Sequence, residues 1–364
     1  MKTKIKINKT IIFCLVMFFI ISILSIYSTL DYMSVSDNIL TKQISFYIIG
    51  FAIIGTLFFI KSELLIKYGF YIYLLNILLL LYVLIFGSYI NGSRAWIELP
   101  LIGSIQPSEF MKIGLILFLA KILGNDIKNR SGDLKIIIKC IAIFLVPTIL
   151  TFLEPDTGAV IIYFVITITM LFVSGIKKRW FIILFASIFL MLFGILYLFY
   201  FEKETFINIL GSNFFYRLDR IFDWTKSTGM QLENSIISIA SSGISGHGFN
   251  KIPIYFPELH TDFIFASFVS CYGLIGSFIL LMLFYIFDFE IINIGKNKKN
   301  TCKLITSGIV SVLIYQQIQN TAMTIGLLPI TGITLPFISY GGSSLLSFMI
   351  LMGIVLNLNK KTTL

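Results

Sequence analysis

Histidine is almost missing from this sequence: His247 and His260 are the two that 364 residues contain. A metal site built on several imidazoles, or a Ser-His-Asp triad with a choice of base, is therefore excluded. Four cysteines, Cys14, Cys140, Cys271 and Cys302, stand far apart in or beside apolar runs. Neither a disulfide framework nor a thiolate zinc site follows from that spacing. No phosphate-binding Walker loop, no dinucleotide glycine fingerprint, no His-Glu-x-x-His pair and no serine-nucleophile elbow occurs. Charge is scarce as well, at 13% of residues, against roughly 25% in a soluble domain. Any proton transfer must then fall to a carboxylate.

What is abundant is hydrocarbon. Hydrophobic residues make up 57% of the chain, and the mean hydropathy is +0.93. Apolar runs long enough to span a bilayer, about 20 residues each, lie near 11–30, 43–60, 66–87, 109–123, 136–153, 158–175, 180–200, 263–287, 304–325 and 341–358. The first follows a basic N-terminus and is too long for a signal-peptide core, so it reads as a first transmembrane helix. The 109–123 run is short and carries Lys112 and Lys121.

The net charge of +10 is dispersed and reports topology rather than a nucleic-acid partner. With both termini inside, 20 of the 28 lysines and arginines fall on the cytoplasmic side. Of the 18 acidic residues, 13 fall outside or near it. These readings give an all-α polytopic membrane protein of about ten transmembrane helices, N-in/C-in, as a single integral membrane domain over 1–364. One large extracytoplasmic loop, about 201–262, separates helices 7 and 8. Its apolar stretch Ile236–Ala240 reads as an ordered helix lying in the interface.

Polar residues gather in outward-facing islands. Phe256 to Phe265 reads Phe-Pro-Glu-Leu-His-Thr-Asp-Phe-Ile-Phe. It places Glu258, His260, Thr261 and Asp262 at the membrane surface, where a helix begins. Thr261 and Asp262 either cap that helix or form a functional cluster, because ionisable groups at such depth are costly. A second island joins Gly92–Ile97, with Arg94, to Gln106-Pro107-Ser108-Glu109 and Lys112. Glu109 and Lys112 are three apart and can pair, which is also a purely structural solution for two charges.

The third island, Glu154-Pro155-Asp156-Thr157-Gly158, breaks two helices. Asp156 either caps the second of them or reaches the same outer cavity as Asp262. In the long loop, Arg217 and Arg220 suit an anionic ligand, since the guanidinium fork grips two oxygens at once; lipid headgroups would satisfy them equally. The last island runs from Gly326 to Ser344 with two prolines, four glycines and no charge. Its Gly341-Gly342-Ser343-Ser344 turn offers either backbone N–H groups for an anion or small residues for tight packing.

Taken in order, Gly92–Ile97, Gln106–Glu109 with Lys112, Pro155-Asp156-x-Gly158, Pro257–Phe265 and Gly326–Ser344 resemble the SEDS family (shape, elongation, division, sporulation), the RodA/FtsW-type peptidoglycan polymerases. The resemblance covers Gly92 to Asn357. It implies about ten helices in the bacterial cytoplasmic membrane and polymerisation of lipid II into glycan strands at its outer face, by inversion to a β-1,4 bond.

The family's essential aspartate in His-Thr-Asp-Phe falls at Asp262, as general base. Arg94, Glu109, Lys112, Asp156, Arg217, Arg220, Glu258, His260, Thr261 and Ser343 are the substrate-binding candidates. A class B penicillin-binding protein is the implied partner, and a divalent cation, Mg2+ or Mn2+, the implied helper for the departing pyrophosphate, with no protein metal site assigned. Ser270 and Cys271 stand where the family usually has a Glu-Glu pair, and the glycine-rich stretch is reduced at Ala240-Ser241-Ser242-Gly243. Two other readings remain: a lipid II flippase, which needs charges along both leaflets, and a scaffold paralogue weakened in catalysis.

Overall fold

The computed structural model describes residues 8–32, 38–90, 93–99, 103–128, 132–212, 214–216, 230–296 and 298–360. Twelve helices are used below: α1 (Lys9–Tyr27), α2 (Ile39–Phe59), α3 (Ser62–Phe86), α4 (Pro107–Lys128), α5 (Asp133–Leu153), α6 (Thr157–Val173), α7 (Lys178–Phe201), α8 (Lys203–Leu210), α9 (Met230–Ser241), α10 (Ile264–Lys296), α11 (Asn300–Thr324) and α12 (Gly342–Leu358). Each expected apolar run falls on one of them. Among the described residues, six helices are long and apolar enough to cross a membrane: α1, α2, α3, α5, α7 and α10. Helices α6 and α12 are apolar but only 17 residues long.

The all-helical expectation misses one element. Between α3 and α4 the chain forms a three-stranded antiparallel sheet, β1 (Ser88–Ile90), β2 (Ser93–Leu99) and β3 (Gly103–Ile105), ordered β1-β2-β3. Tyr89 faces Arg94 across the first ladder and Glu98 faces Ser104 across the second. Two of its strands are three residues long, too short to show a period-two pattern in sequence. The sheet sets the entry of α4, because it ends one residue before Gln106.

Helices pack through small residues, which let backbones approach closely where the solvent is lipid. On α3 a side chain at Gly69 would meet the Leu117 backbone at 3.0 Å, and on α4 one at Gly114 would meet the Tyr73 backbone at 2.9 Å. Gly50 of α2 receives Met349 of α12, and Asn357 of α12 donates to Leu57 O and Ile60 O, both at 2.6 Å. Helix α7 stands at the rim; of its 24 residues, Phe181 and Phe199 are buried.

The segment between α11 and α12 is not helical, and its backbone groups are satisfied by side chains of other helices, as buried irregular backbone requires. Ser22 donates to Ile338 O at 2.8 Å and Gln43 to Ser339 O at 3.2 Å. Tyr47 donates to Phe337 O, and Gln319 to Pro329 O at 2.9 Å. Phe337 holds a left-handed φ of 64° and is kept there by stacking on Phe18, ring centres 5.4 Å apart.

Helix α10 breaks at Gly273, whose φ and ψ are 63° and −160°. An unbroken helix would pair Leu274 N with Ser270 O and Ile275 N with Cys271 O. Here all four groups bond the 243–248 loop instead: His247 N to Ser270 O at 2.9 Å, Gly248 N to Cys271 O, Leu274 N to Gly243 O and Ile275 N to Ile244 O, each at 3.1 Å. The loop is thus spliced into the helix. Only glycine fits at the crossing, since a Cβ on Gly246 would lie 2.2 Å from Cys271 O and one on Gly273 2.3 Å from Gly246 N.

Candidate active site

Asp262 sits two residues before α10, at the end of a tight turn. Glu258 starts that turn in a left-handed conformation (φ 57°), and its carbonyl accepts from Thr261 N at 3.3 Å and Phe263 N at 3.1 Å. The Glu258 carboxylate accepts from the Thr261 hydroxyl. Ser339 fixes the turn from the α11–α12 segment by donating to Thr261 O at 2.7 Å, and Tyr340 N donates to His260 O at 2.9 Å. Asn320 of α11 donates to both Asp262 O and Ile333 O at 2.8 Å. The backbone carrying Asp262 is therefore held from two sides.

Its side chain is not. The Asp262 carboxylate is half-buried and takes no hydrogen bond from any described residue. Capping of α10 by this carboxylate is absent. Oδ2 lies beside Gly332, where an added Cβ would sit 3.6 Å away. Burial first, and the Glu258 charge second, push the carboxyl up to about 7. His260 moves the other way: burial lowers it, against the Glu258 charge. An unbonded carboxylate with a proton affinity near neutrality is equipped to accept a proton from a hydroxyl.

A second cluster forms where α4 starts. Asp156 accepts from Gln106 Nε2 at 2.8 Å, from the Ser108 hydroxyl at 2.9 Å and from Ala159 N at 3.1 Å. The last of these caps α6. Desolvation raises the Asp156 carboxyl in spite of these donors. Glu109 pairs with Lys112 at 2.5 Å and accepts from Ser347 at 3.2 Å. Lys112 is 1% exposed and lies over the Phe348 ring, 4.7 Å from its centre. Ser343 accepts from Gln106 N at 2.9 Å, tying α12 to the same cluster. Gly342, by contrast, is pressed against the Phe46 ring, the packing use of a small residue.

The segment from Thr331 to Thr334 joins the clusters. Thr331 O and Ile333 would meet a side chain at Gly158, two residues from Asp156, at 3.2 and 3.0 Å. Gly332 in between faces Asp262, and Thr334 bonds Ser344 at 2.8 Å. The structure thus brings Asp262, Glu258, His260 and Thr261 to one flank of this segment, and Asp156, Glu109, Lys112 and Ser343 to the other.

Arg94 belongs to neither. It donates to Gly87 O at 2.9 Å and Ile85 O at 2.6 Å, closing the end of α3. Arg217 and Arg220 lie outside the described residues. No three His, Cys, Asp or Glu side chains among the described residues form a metal cage. The residues in hand thus provide no ready seat for the divalent cation that the resemblance implied.

The family model described as a cell cycle protein of the FtsW, RodA and SpoVE type matches residues 3–364. The chain belongs to the FtsW/RodA/SpoVE family. It is 35% identical over 307 residues to the probable peptidoglycan glycosyltransferase FtsW of Coxiella burnetii, covering 81% of this chain and 79% of the relative. To the FtsW of Wigglesworthia glossinidia brevipalpis it is 32% identical, covering 98% and 96%. To stage V sporulation protein E of Bacillus subtilis it is 32% identical, covering 75% and 73%.

Among solved structures it resembles a chain of a peptidoglycan synthase complex that coordinates polymerisation and crosslinking, at a TM-score of 0.80, 24% identity and 97% coverage of both chains. The rod shape determining protein RodA of Thermus thermophilus follows at 0.71, 23% identity and coverage of 97% and 96%. These two likenesses show the fold.

Sequence reasoning overlooked three site residues. Asn320 and Gln319 hold Asp262 and Thr331; the run Gln316-Gln317-Ile318-Gln319-Asn320 inside an apolar helix was their signal. Glu154 was read only as part of a helix break. It is fully buried, and neither carboxylate oxygen has a hydrogen-bond partner among the described residues.

Proposed function

We propose that this protein is a multi-pass enzyme of the bacterial cytoplasmic membrane that polymerises lipid II into glycan strands at the outer face. In this reading ten helices span, both termini face the cytoplasm, and the loop of about 201–262 lies outside. One observation carries it: the free, half-buried Asp262 carboxylate, poised near pH 7 at the mouth of α10. Relatives at 32–35% identity named as peptidoglycan glycosyltransferases support the same reaction class.

The chemistry follows from the residue types. Asp262 takes the proton of the acceptor sugar's C4 hydroxyl. The hydroxyl oxygen attacks the anomeric carbon of the donor, and the bond to the undecaprenyl pyrophosphate breaks with inversion. General-base help of this kind is worth about 10²–10⁴-fold. Cationic side chains, the loop arginines Arg217 and Arg220, offset the charge that develops on the pyrophosphate. A class B penicillin-binding protein is the fitting partner, in keeping with a fold shared with a chain of a synthase complex that also crosslinks.

The test is direct. The full-length chain is purified with its transpeptidase, supplied with lipid II, and glycan strands are resolved on a gel. Strands should form, and Asp262→Ala should form none. Strand formation undiminished in that variant would refute the mechanism, and lipid II crossing liposome membranes independently of Asp262 would favour the flippase.

A further inference from the structure

The α5–α6 turn holds two carboxylates two residues apart in opposite circumstances. Asp156 has three donors aimed at it, from Gln106, Ser108 and the Ala159 amide. Glu154 has none, and no part of it reaches the surface. Hydrogen bonds to a carboxylate favour its ionised form; burial without them favours the neutral acid. Two acids so placed divide their roles, and the one without donors keeps the proton.

We propose that Glu154 stays protonated in the working enzyme and thereby keeps a further negative charge out of the island around Lys112, lessening its repulsion of an anionic pyrophosphate substrate. The proposal rests on the reading that the substrate is a pyrophosphate-linked lipid. Glu154 does not touch that substrate; it is a positioning residue that sets the island's charge. With Glu154 ionised, the α5–α6 turn and the start of α4 would together hold three carboxylates, Glu154, Asp156 and Glu109, against the single ammonium of Lys112. With it neutral, Glu109 cancels Lys112, and Asp156 alone is left, held by its donors.

The titratable and charged groups around Glu154 are few. Asp156 shares its turn and Tyr163 comes from α6, while Glu109 and Lys112 of α4 act on Asp156. The Thr331–Thr334 segment brings no titratable group. Tyr163 is committed to Ser108 O at 2.9 Å. Desolvation, with the Asp156 charge second, raises the Glu154 carboxyl to about 8. The sign of the consequence is fixed: the folded protein holds a proton there that the unfolded chain releases near pH 4.5, so this group's contribution to stability declines from about pH 4.5 to 8 and is flat above.

Two measurements on the purified full-length chain test this. In the first, lipid II polymerisation by wild type and Glu154→Gln is followed from pH 7 to 9 with the transpeptidase present. The wild type should lose about tenfold of its rate by pH 9, one unit past the carboxyl's midpoint, while the amide, which cannot ionise, should not show that loss. An identical alkaline fall in both proteins, or a Glu154→Gln protein inactive at every pH, overturns the proposal.

In the second, the thermal midpoints of the two proteins in detergent are compared from pH 5 to 9. The midpoint of Glu154→Gln should rise relative to wild type up to about pH 8 and then hold a constant difference. A pH-independent difference overturns the proposal whether or not either protein polymerises lipid II. A wild type that forms no strands at all, with the midpoint difference as expected, would count against the functional reading and leave the protonation standing.

Discussion

Asp262→Asn keeps the shape of the candidate base and removes its proton affinity, and the structure sets how much should follow. The carboxylate has no hydrogen-bond partner among the described residues to lose, so the fold should survive. Loss of general-base help predicts a fall in polymerisation of about 10²–10⁴-fold.

The pH dependence of the wild type is sharper still. With the carboxyl at about 7, the ionised fraction drops about tenfold for each unit below that value, and the rate should drop with it. Glu258 is the second cause of the shift, after burial, so Glu258→Gln should move the acid limb to lower pH. The same shift works against the fold. Asp262 binds a proton in the folded state between pH 3.8 and about 7 that the unfolded chain has released, so stability declines as pH rises through that window. In Asp262→Asn that decline should be smaller by an amount of order 2–4 kcal/mol.

The assay is strand length and rate from lipid II between pH 5.5 and 8, with thermal midpoints over the same range. An Asp262→Asn protein within threefold of wild type, or an acid limb that ignores Glu258→Gln, would refute the reasoning.

Three further expectations concern the scaffold. Lys112→Met strands the Glu109 carboxylate beside Ser347 and should cost about 3–5 kcal/mol, much of it recovered by adding Glu109→Gln; thermal unfolding in detergent reads both. Asn320→Leu removes donors from Asp262 O and Ile333 O. It should cost about 1–3 kcal/mol and lower kcat with little change in KM, as steady-state polymerisation will show. Gly246→Ala and Gly273→Ala each push a methyl into backbone at 2.2–2.3 Å in a positive-φ conformation. Each should cost more than about 4 kcal/mol and reduce the yield of folded protein, whereas Gly243→Ala, with open space around it, should cost less.

The helices were legible because an apolar run of membrane length has few other uses, and the Asp262 turn because ionisable residues at a membrane surface need a reason. The sheet at 88–105 was not, since strands of three residues carry no pattern. Arg94 was assigned to substrate from its charge, yet it serves the end of α3; which way a long side chain turns depends on the loose carbonyls within reach, and those belong to the fold. The Ser270–Cys271 departure reads differently in three dimensions. Both residues are buried, and Ser238 of α9 donates to Ser270 at 2.9 Å. The exchange falls at an interior seam between α9 and α10, away from the outer water. The isolation of Glu154 is invisible in sequence altogether, because being without a partner is a property of the neighbours.

The splice at Gly273 divides α10 into two mechanically different parts. Below the break α10 is an ordinary membrane helix. Above it, the short piece that begins just after Asp262 is bolted by main-chain bonds to the strap leading from α9. The strap and the Asp262 turn therefore hold the two ends of one short piece.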